Sequence, residues 1–219
     1  MTDRIGYGPS GERGPSGPSS GERGPAWLSW VRGQLLERRI VLLRGDLDES
    51  LAGEVAASLM MLDATGDGAV DLQVDSAGGS LEAAFTVIDT IEALGVAVHA
   101  TCVGRAEGSA VGVIAASGRR SAAPHGRFRL VEPTSTVGGT AGDIERWAEH
   151  RRGQFARFVD VLARATGRPQ EHIEADISAG RWLSAAEAVE YRLVDRLWEP
   201  RSERRAPPPD GPRFGYGPH

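Results

Sequence analysis

The chain has 219 residues, of which 40% are hydrophobic and 25% are charged, and its formal net charge is −5. This composition is ordinary for a globular protein, and the acidic balance gives no support to a nucleic-acid partner. A single cysteine excludes an internal disulfide, and no apolar run approaches the roughly 20 residues that cross a bilayer.

Both ends of the chain are predicted to be disordered. Residues 1–25 repeat Gly-Pro-Ser and Gly-Glu-Arg triplets, which are too few and too interrupted for a collagen triple helix. Residues 200–219 are rich in Pro and Arg, which is typical of a tail. One folded domain is therefore expected over 26–199. The N-terminus shows no signal-peptide pattern, and together with the lone cysteine this predicts a cytoplasmic location.

Between the tails, apolar runs of strand length alternate with segments of helical periodicity. The patterns predict helices over 27–37, 49–62, 81–94, 109–116, 141–166, 170–177 and 185–191. They predict strands over 39–43, 70–74 and 96–103, with two brief strands flanking the turn 124–126. Expected caps are Asp48 or Ser50, Gly95, and a capping box of Ser184 with Glu187. Repeated βαβ units predict an α/β fold with a largely parallel, helix-covered sheet.

Two Gly-rich turns carry the strongest chemical signal. The first is 75–80 (Asp-Ser-Ala-Gly-Gly-Ser) and the second is 104–110 (Gly-Arg-Ala-Glu-Gly-Ser-Ala). Each turn lies between a predicted strand and a predicted helix, which places free N–H groups and a hydroxyl at one rim of the sheet. Acyl-transfer chemistry needs a serine beside such donors, so the turns indicate a site of that kind.

From about residue 35 to residue 198 the chain resembles the proteolytic subunit of the Clp protease, a serine peptidase of the Clp/crotonase-like fold. Three stretches in the family's order carry the resemblance: 75–80, 141–145 (Ala-Gly-Asp-Ile-Glu) and 183–195, which is close to the family's closing motif. The resemblance implies a cytosolic protein whose rings stack into a chamber fed by an ATP-driven unfoldase of the AAA+ class. Unfolded polypeptides would be the substrates.

The same resemblance assigns a nucleophile and its oxyanion donors. Counting back from 115–118 (Ala-Ala-Ser-Gly) places the family's nucleophile at Ser109, and the turn before it has one residue more than the family's. The oxyanion donors would be the N–H groups of Gly79 and Ala110. The alternative interpretation is that Ser109 only caps its helix.

The other two triad members are missing from their positions. The family's general-base His falls on Val131, which can neither accept nor donate a proton, and its orienting Asp falls on Gly180. No His lies within 128–134 and no Asp within 177–183, so a small shift of the alignment restores neither. We therefore expect a pseudoenzyme, catalytically impaired by itself, with a structural or regulatory role in protein quality control.

The remaining titratable residues offer no clear substitute for the base. Glu107 lies two residues before Ser109 and can reach it, but a carboxylate is a poor base for a hydroxyl at neutral pH. Cys102 is predicted to pack in its strand rather than to react. The histidines are expected in a strand, a turn, two polar helix faces and the tail: His99, His125, His150, His172 and His219.

The long helix over 141–166, which in the family is the handle that interleaves two rings, has two interpretations. Its apolar face either mediates assembly or packs only within its own subunit. The residues of that face are Ile144, Trp147, Phe155, Phe158, Val159, Val161 and Leu162.

Two other functions stay open. The chain could be an active serine endopeptidase that uses Ser109 with a base from elsewhere, or a crotonase-like acyl-CoA enzyme with Glu107 as its acid or base. No metal or cofactor is expected, because His and Cys are scattered and no Gly-x-x-x-x-Gly-Lys phosphate loop occurs. ATP hydrolysis would then belong to a partner. The rings could be homo- or hetero-oligomeric, with neither nucleic acid nor a membrane as partner.

Overall fold

A computed structural model of the chain describes residues 26–133 and 140–198. The seven helices of this part are α1 (Ala26–Glu37), α2 (Glu49–Thr65), α3 (Leu81–Ala93), α4 (Ser109–Ala116), α5 (Ala141–Thr166), α6 (Gln170–Ser178) and α7 (Ala185–Glu190). The seven strands are β1 (Ile40–Arg44), β2 (Val70–Ser76), β3 (Val98–Glu107), β4 (Arg119–Ala122), β5 (Arg127–Arg129), β6 (Trp182–Ser184) and β7 (Arg196–Leu197).

The chain divides into two units between Gln34 and Leu35. Most of α1 belongs to the first unit, and the sheet with all later elements belongs to the second. The predicted tails at 1–25 and 200–219 lie outside the described residues, as do residues 134–139.

The strands form one sheet in the order β1-β2-β3-β4-β7, with β5 paired to β3 and β6 paired to β5. Every pair is parallel except β5 with β6, which confirms the predicted parallel-dominated α/β fold. β3 is long enough for two neighbours on one side: its residues 99–102 pair with β4, and its residues 105–107 pair with β5. The carboxyl ends of β2, β3 and β5 therefore meet at one edge.

Alternating side chains of the central strands build the core beneath that edge. In β2, Val70, Leu72 and Val74 are buried, as the period of two residues in a strand requires. Above them, every residue of α4 from Ser109 to Ala115 is buried. α4 packs closely on α5, since a Cβ at Gly112 would lie only 2.7 Å from the Phe158 ring. The core thus fixes the position of the α4 N-terminus.

The long helix has the predicted bounds, and part of its apolar face packs within the subunit. Phe158, Val159, Val161 and Leu162 are buried within the subunit, whereas Ile144 near the other end is 45% exposed. The C-terminal half of α5 therefore packs internally, and the N-terminal half keeps apolar surface in solvent.

Two sequence predictions are corrected. β3 does not end at residue 103 but runs to Glu107, because its last residues pair with β5. Gly95 is not a left-handed cap: α3 ends at Ala93, Leu94 is extended, and the N–H groups of Gly95 and Val96 donate to the Asp63 carboxylate at 3.0 Å. The expected caps at Asp48 and at Ser184 with Glu187 are confirmed. β6 and β7 were not predicted, because each has only two or three residues.

Candidate active site

The two Gly-rich turns lie against each other at the carboxyl ends of β2 and β3. A Cβ on Gly78 would lie 2.5 Å from the Glu107 carbonyl oxygen and 3.2 Å from the Ser109 nitrogen. The Ser76 hydroxyl fixes the first turn, since it donates to the Gly45 carbonyl at 2.6 Å and accepts from the Gly78 N–H at 3.0 Å. The sequence run 75–80 thus folds into a support for the turn that starts α4.

Ser109 is the first residue of α4 and has no exposed surface. Its hydroxyl donates to the Gly79 carbonyl oxygen at 3.2 Å. The structure therefore brings the predicted nucleophile to the predicted oxyanion-donor residue, but through that residue's carbonyl group.

The N–H of Gly79 faces the same side as its carbonyl. The backbone of Leu47 bonds to the residues on either side, accepting from the Ser80 N–H and donating to the Gly78 carbonyl. In a parallel pair of strands, a residue whose two neighbours bond to one partner residue directs its own N–H and carbonyl to the opposite side. The N–H and the carbonyl of Gly79 therefore point away from Leu47. The N–H of Gly79 thus faces α4, whose first N–H groups have no partner within the helix.

Val131 lies beside this turn. A Cβ on Gly108 would lie 3.7 Å from Val131 Cγ1, so the position assigned to the general base adjoins the residue before Ser109. An isopropyl side chain fills it. The position assigned to the orienting Asp is Gly180, which has a φ of +63°.

A guanidinium group occupies the space next to Gly180. A Cβ there would lie 3.7 Å from Arg129 Nη2 and 4.0 Å from its Nε. Within the described part of the chain, this buried Nε has no hydrogen-bond partner. The Arg129 guanidinium lies 5.0 Å from the Trp182 ring centroid. Sequence reasoning missed Arg129, although its place two residues before Val131 puts both on one face of the same extended segment.

Glu107 is held by positive charge rather than by Ser109. Its carboxylate oxygens lie 3.6 Å from Arg105 Nη1 and 3.9 Å from Arg129 Nη1, and the residue is buried. The hydroxyl of Ser109 points instead to Gly79.

No imidazole is bonded to Ser109 among residues 26–133 and 140–198. His99 lies at the amino end of β3, 3.8 Å from the Asp71 carboxylate and about 26 Å of extended strand from Glu107. The other described histidines are exposed: His125, His150 and His172. Cys102 is fully buried as predicted, and burial raises the pKa of its thiol to about 11, so it is unreactive at neutral pH.

In the described part of the chain, no group of three or more His, Cys, Asp or Glu residues could hold a metal ion. No helix there is both long enough and apolar enough to cross a membrane.

Comparisons with known proteins agree with the resemblance. A sequence model of the Clp protease family matches residues 23–201. The chain is 34% identical over 204 residues to the "ATP-dependent Clp protease proteolytic subunit 1" of Frankia casuarinae, covering 91% of this chain and 93% of that one. It is 38% identical over 180 residues to an "ATP-dependent Clp protease proteolytic subunit-like" protein of Streptomyces coelicolor, covering 80% of this chain and 84% of that protein.

Proposed function

Because this chain belongs to the Clp protease family, we propose that it is a catalytically impaired subunit of a ring-shaped protein-degrading assembly. One observation carries the proposal: a valine side chain stands beside the nucleophile turn where a serine peptidase needs its general base. The subunit would then contribute structure or regulation to the rings rather than hydrolysis.

The chemistry of a serine nucleophile explains why the valine matters. A serine hydroxyl is a weak nucleophile until an adjacent base takes its proton, and the same base protonates the leaving amine. In a serine triad, loss of the base lowers turnover on the order of 10⁶-fold, and the oxyanion donors alone retain about 10³–10⁴ over water. Val131 supplies neither proton transfer, so the donors at Gly79 and α4 would remain without their partner.

The charge near Gly180 supports the same conclusion. An orienting carboxylate acts on an imidazole: it holds the ring in the right tautomer and stabilises the positive charge that the ring gains. Here Arg129 already places a permanent positive charge in that space, 3.7 Å from where a Cβ at residue 180 would be. The site has thus replaced a histidine–aspartate pair by an apolar group and a cation.

The partners follow from the family. The subunit would join homo- or hetero-oligomeric rings of Clp-type subunits in the cytoplasm, where an ATP-driven AAA+ unfoldase supplies unfolded polypeptides. The Frankia relative is named as an ATP-dependent subunit, and the apolar surface left on α5 at Ile144 suits a contact between subunits.

An active endopeptidase is the second candidate, and the placement of Ser109 at a helix N-terminus beside Gly79 favours it. The crotonase-like alternative is weaker, because its acid or base would be Glu107, which lies between two arginines.

A fluorophosphonate probe separates the first two candidates. We expect the purified protein to remain unlabelled under conditions in which a catalytic Clp subunit labels fully. Labelling that maps to Ser109 and disappears in Ser109→Ala would refute the impairment and establish the endopeptidase.

A reconstitution assay tests the role in assembly. The subunit by itself should cleave small fluorogenic peptides no faster than its Ser109→Ala variant. Mixed with a catalytic Clp subunit from the same organism, it should co-elute and change that subunit's cleavage rate. An unchanged rate and separate elution would count against a structural or regulatory role.

A further inference from the structure

Gly108, the residue before Ser109, has an unusual backbone conformation. Its φ is +50° and its ψ is −123°, in a region that residues with a side chain rarely adopt. Strand β3 ends one residue earlier and α4 begins one residue later, so the whole change of direction takes place at Gly108. The turn is therefore a sharp strand-to-helix elbow centred on this glycine.

A side chain at Gly108 would have room and a defined direction. The nearest atoms to its Cβ would be Val131 Cγ1 and Val131 O, both at 3.7 Å, and Pro133 Cα at 3.8 Å. These are ordinary van der Waals distances, so nothing would need to shift. The side chain would point at the residue in the general-base position.

Ser109 faces the opposite way. Its hydroxyl bonds to Gly79, which follows β2, whereas Val131 follows β5. β2 and β5 pair with opposite edges of β3, so the two directions diverge across the sheet. A base at residue 131 would thus face residue 108 and not the Ser109 hydroxyl.

We infer that Gly108, rather than Ser109, stands at the nucleophile position, so that all three triad members are replaced in this chain: by Gly108, Val131 and Gly180. Ser109 is then a structural residue that ties α4 to the first turn. The oxyanion donors move with the elbow, to the N–H groups of Gly79 and Ser109 instead of Gly79 and Ala110. The inference rests on the proposed function and deepens it, and it explains the additional residue in the turn.

Disulfide trapping tests which residue faces Val131, residue 108 or residue 109, and it does not require an active enzyme. The paired variants are Gly108→Cys with Val131→Cys, and Ser109→Cys with Val131→Cys as the matched control. A disulfide needs Cβ atoms about 3.5–4.5 Å apart. Cys102 is fully buried and stays in both variants. Under oxidised glutathione, the first pair should crosslink at least tenfold faster than the second, as followed by mass spectrometry of the reduced and oxidised chains.

Faster crosslinking of the Ser109→Cys pair than of the Gly108→Cys pair would overturn the inference. A folded Gly108→Cys, Val131→Cys variant that does not crosslink would also overturn it. If Gly108→Cys prevents folding in a thermal melt, the single Ser109→Cys variant decides. Its thiol should react with a maleimide as slowly as Cys102, because the side chain is buried, and rapid modification would overturn the inference. Neither readout depends on hydrolysis or on assembly. Separate elution and an unchanged rate in the reconstitution assay would therefore refute the proposed function and leave this inference intact, whereas faster crosslinking of the Ser109 pair would refute only the inference. Fluorophosphonate labelling of Ser109 would refute both.

Discussion

Gly79 lies so close to Leu47 that any side chain would overlap the Leu47 backbone. This approach lets the Leu47 backbone bond to both neighbours of Gly79 and turns the polar groups of Gly79 toward α4. At the residue scale, the geometry of the site therefore depends on the absence of a side chain at Gly79. By contrast, Gly53 in α2 has open space around it.

Gly79→Ala should destabilise the protein by about 3 kcal/mol, because the added methyl group overpacks against backbone that cannot move without breaking the ladder. The matched variant Gly53→Ala should stabilise by about 0.5–1 kcal/mol, since alanine is the better helix former in an exposed helix interior. Urea unfolding of both variants measures the difference. Equal stabilities would show that Gly79 and the Leu47 backbone are not packed as described.

Ser109→Ala should lower stability by about 1 kcal/mol, because it removes a buried hydrogen bond and leaves the Gly79 carbonyl without it. For a protein of this size the melting temperature should fall by about 2–4 °C. The control is Ser58→Ala in α2, whose hydroxyl only bonds back to its own helix. An unchanged melting temperature for Ser109→Ala would argue against a structural hydroxyl.

At the element scale, Arg120 joins three segments. Its guanidinium donates to the Asp195 carboxylate at 2.6 and 3.1 Å and to the Ala165 carbonyl at 2.9 Å, and its backbone N–H donates to Asp195 at 2.8 Å. β4, the end of α5 and the segment before β7 are thereby held together. Partial burial raises the pKa of Asp195, but the hydrogen bonds and charge of Arg120 outweigh it and hold the pKa below its usual range.

A carboxylate whose pKa is depressed by folding stabilises the protein above the unfolded pKa and loses that contribution as the pH falls. Asp195→Asn should therefore melt at a lower temperature than wild type at pH 7, and the gap should narrow once the pH drops below about 4. The side chain is 41% exposed, so solvent screening keeps the effect modest. Thermal melts of both proteins from pH 7 to pH 3, with exposed Asp67→Asn as control, check this. A gap that stays constant with pH would contradict it.

At the scale of the whole molecule, the proposed rings need an apolar surface that is not buried within the subunit. The two halves of α5 differ in burial. The apolar face of its C-terminal half is buried in the core, and Ile144 in its N-terminal half is 45% exposed. The helix begins with a capping box of Thr140 and Asp143, so this half is anchored at its start.

Ile144→Glu should shift the protein from an oligomer toward the monomer, because a charge would replace an apolar side chain at the proposed contact. The fold should survive, since the residue is exposed, and Ile144→Leu should assemble like wild type. Size-exclusion chromatography with light scattering gives the masses, and circular dichroism confirms the fold. A wild-type monomer at high concentration, or an Ile144→Glu oligomer of unchanged mass, would count against assembly through α5.

The sequence by itself determined the order of the helices and of the first five strands, the bounds of α4 and α5, and the cap at Ser184, because period, apolar content and capping are properties of neighbouring residues. It also determined that no His lies within 128–134 and no Asp within 177–183. The length of β3 escaped it, since the last pairs of that strand are made with β5, some twenty residues later in the chain.

Only the tertiary structure decided where the side chains of the elbow point. The sequence shows a Gly-Ser pair before an apolar helix, which suits either residue as the pivot. Gly108 has a positive φ and follows Glu107, which Gly78 approaches from one side and which pairs with β5 on the other. Those contacts join residues far apart in the chain, so a local sequence pattern cannot predict them. The tertiary structure directs the Ser109 hydroxyl toward Gly79 and away from Val131.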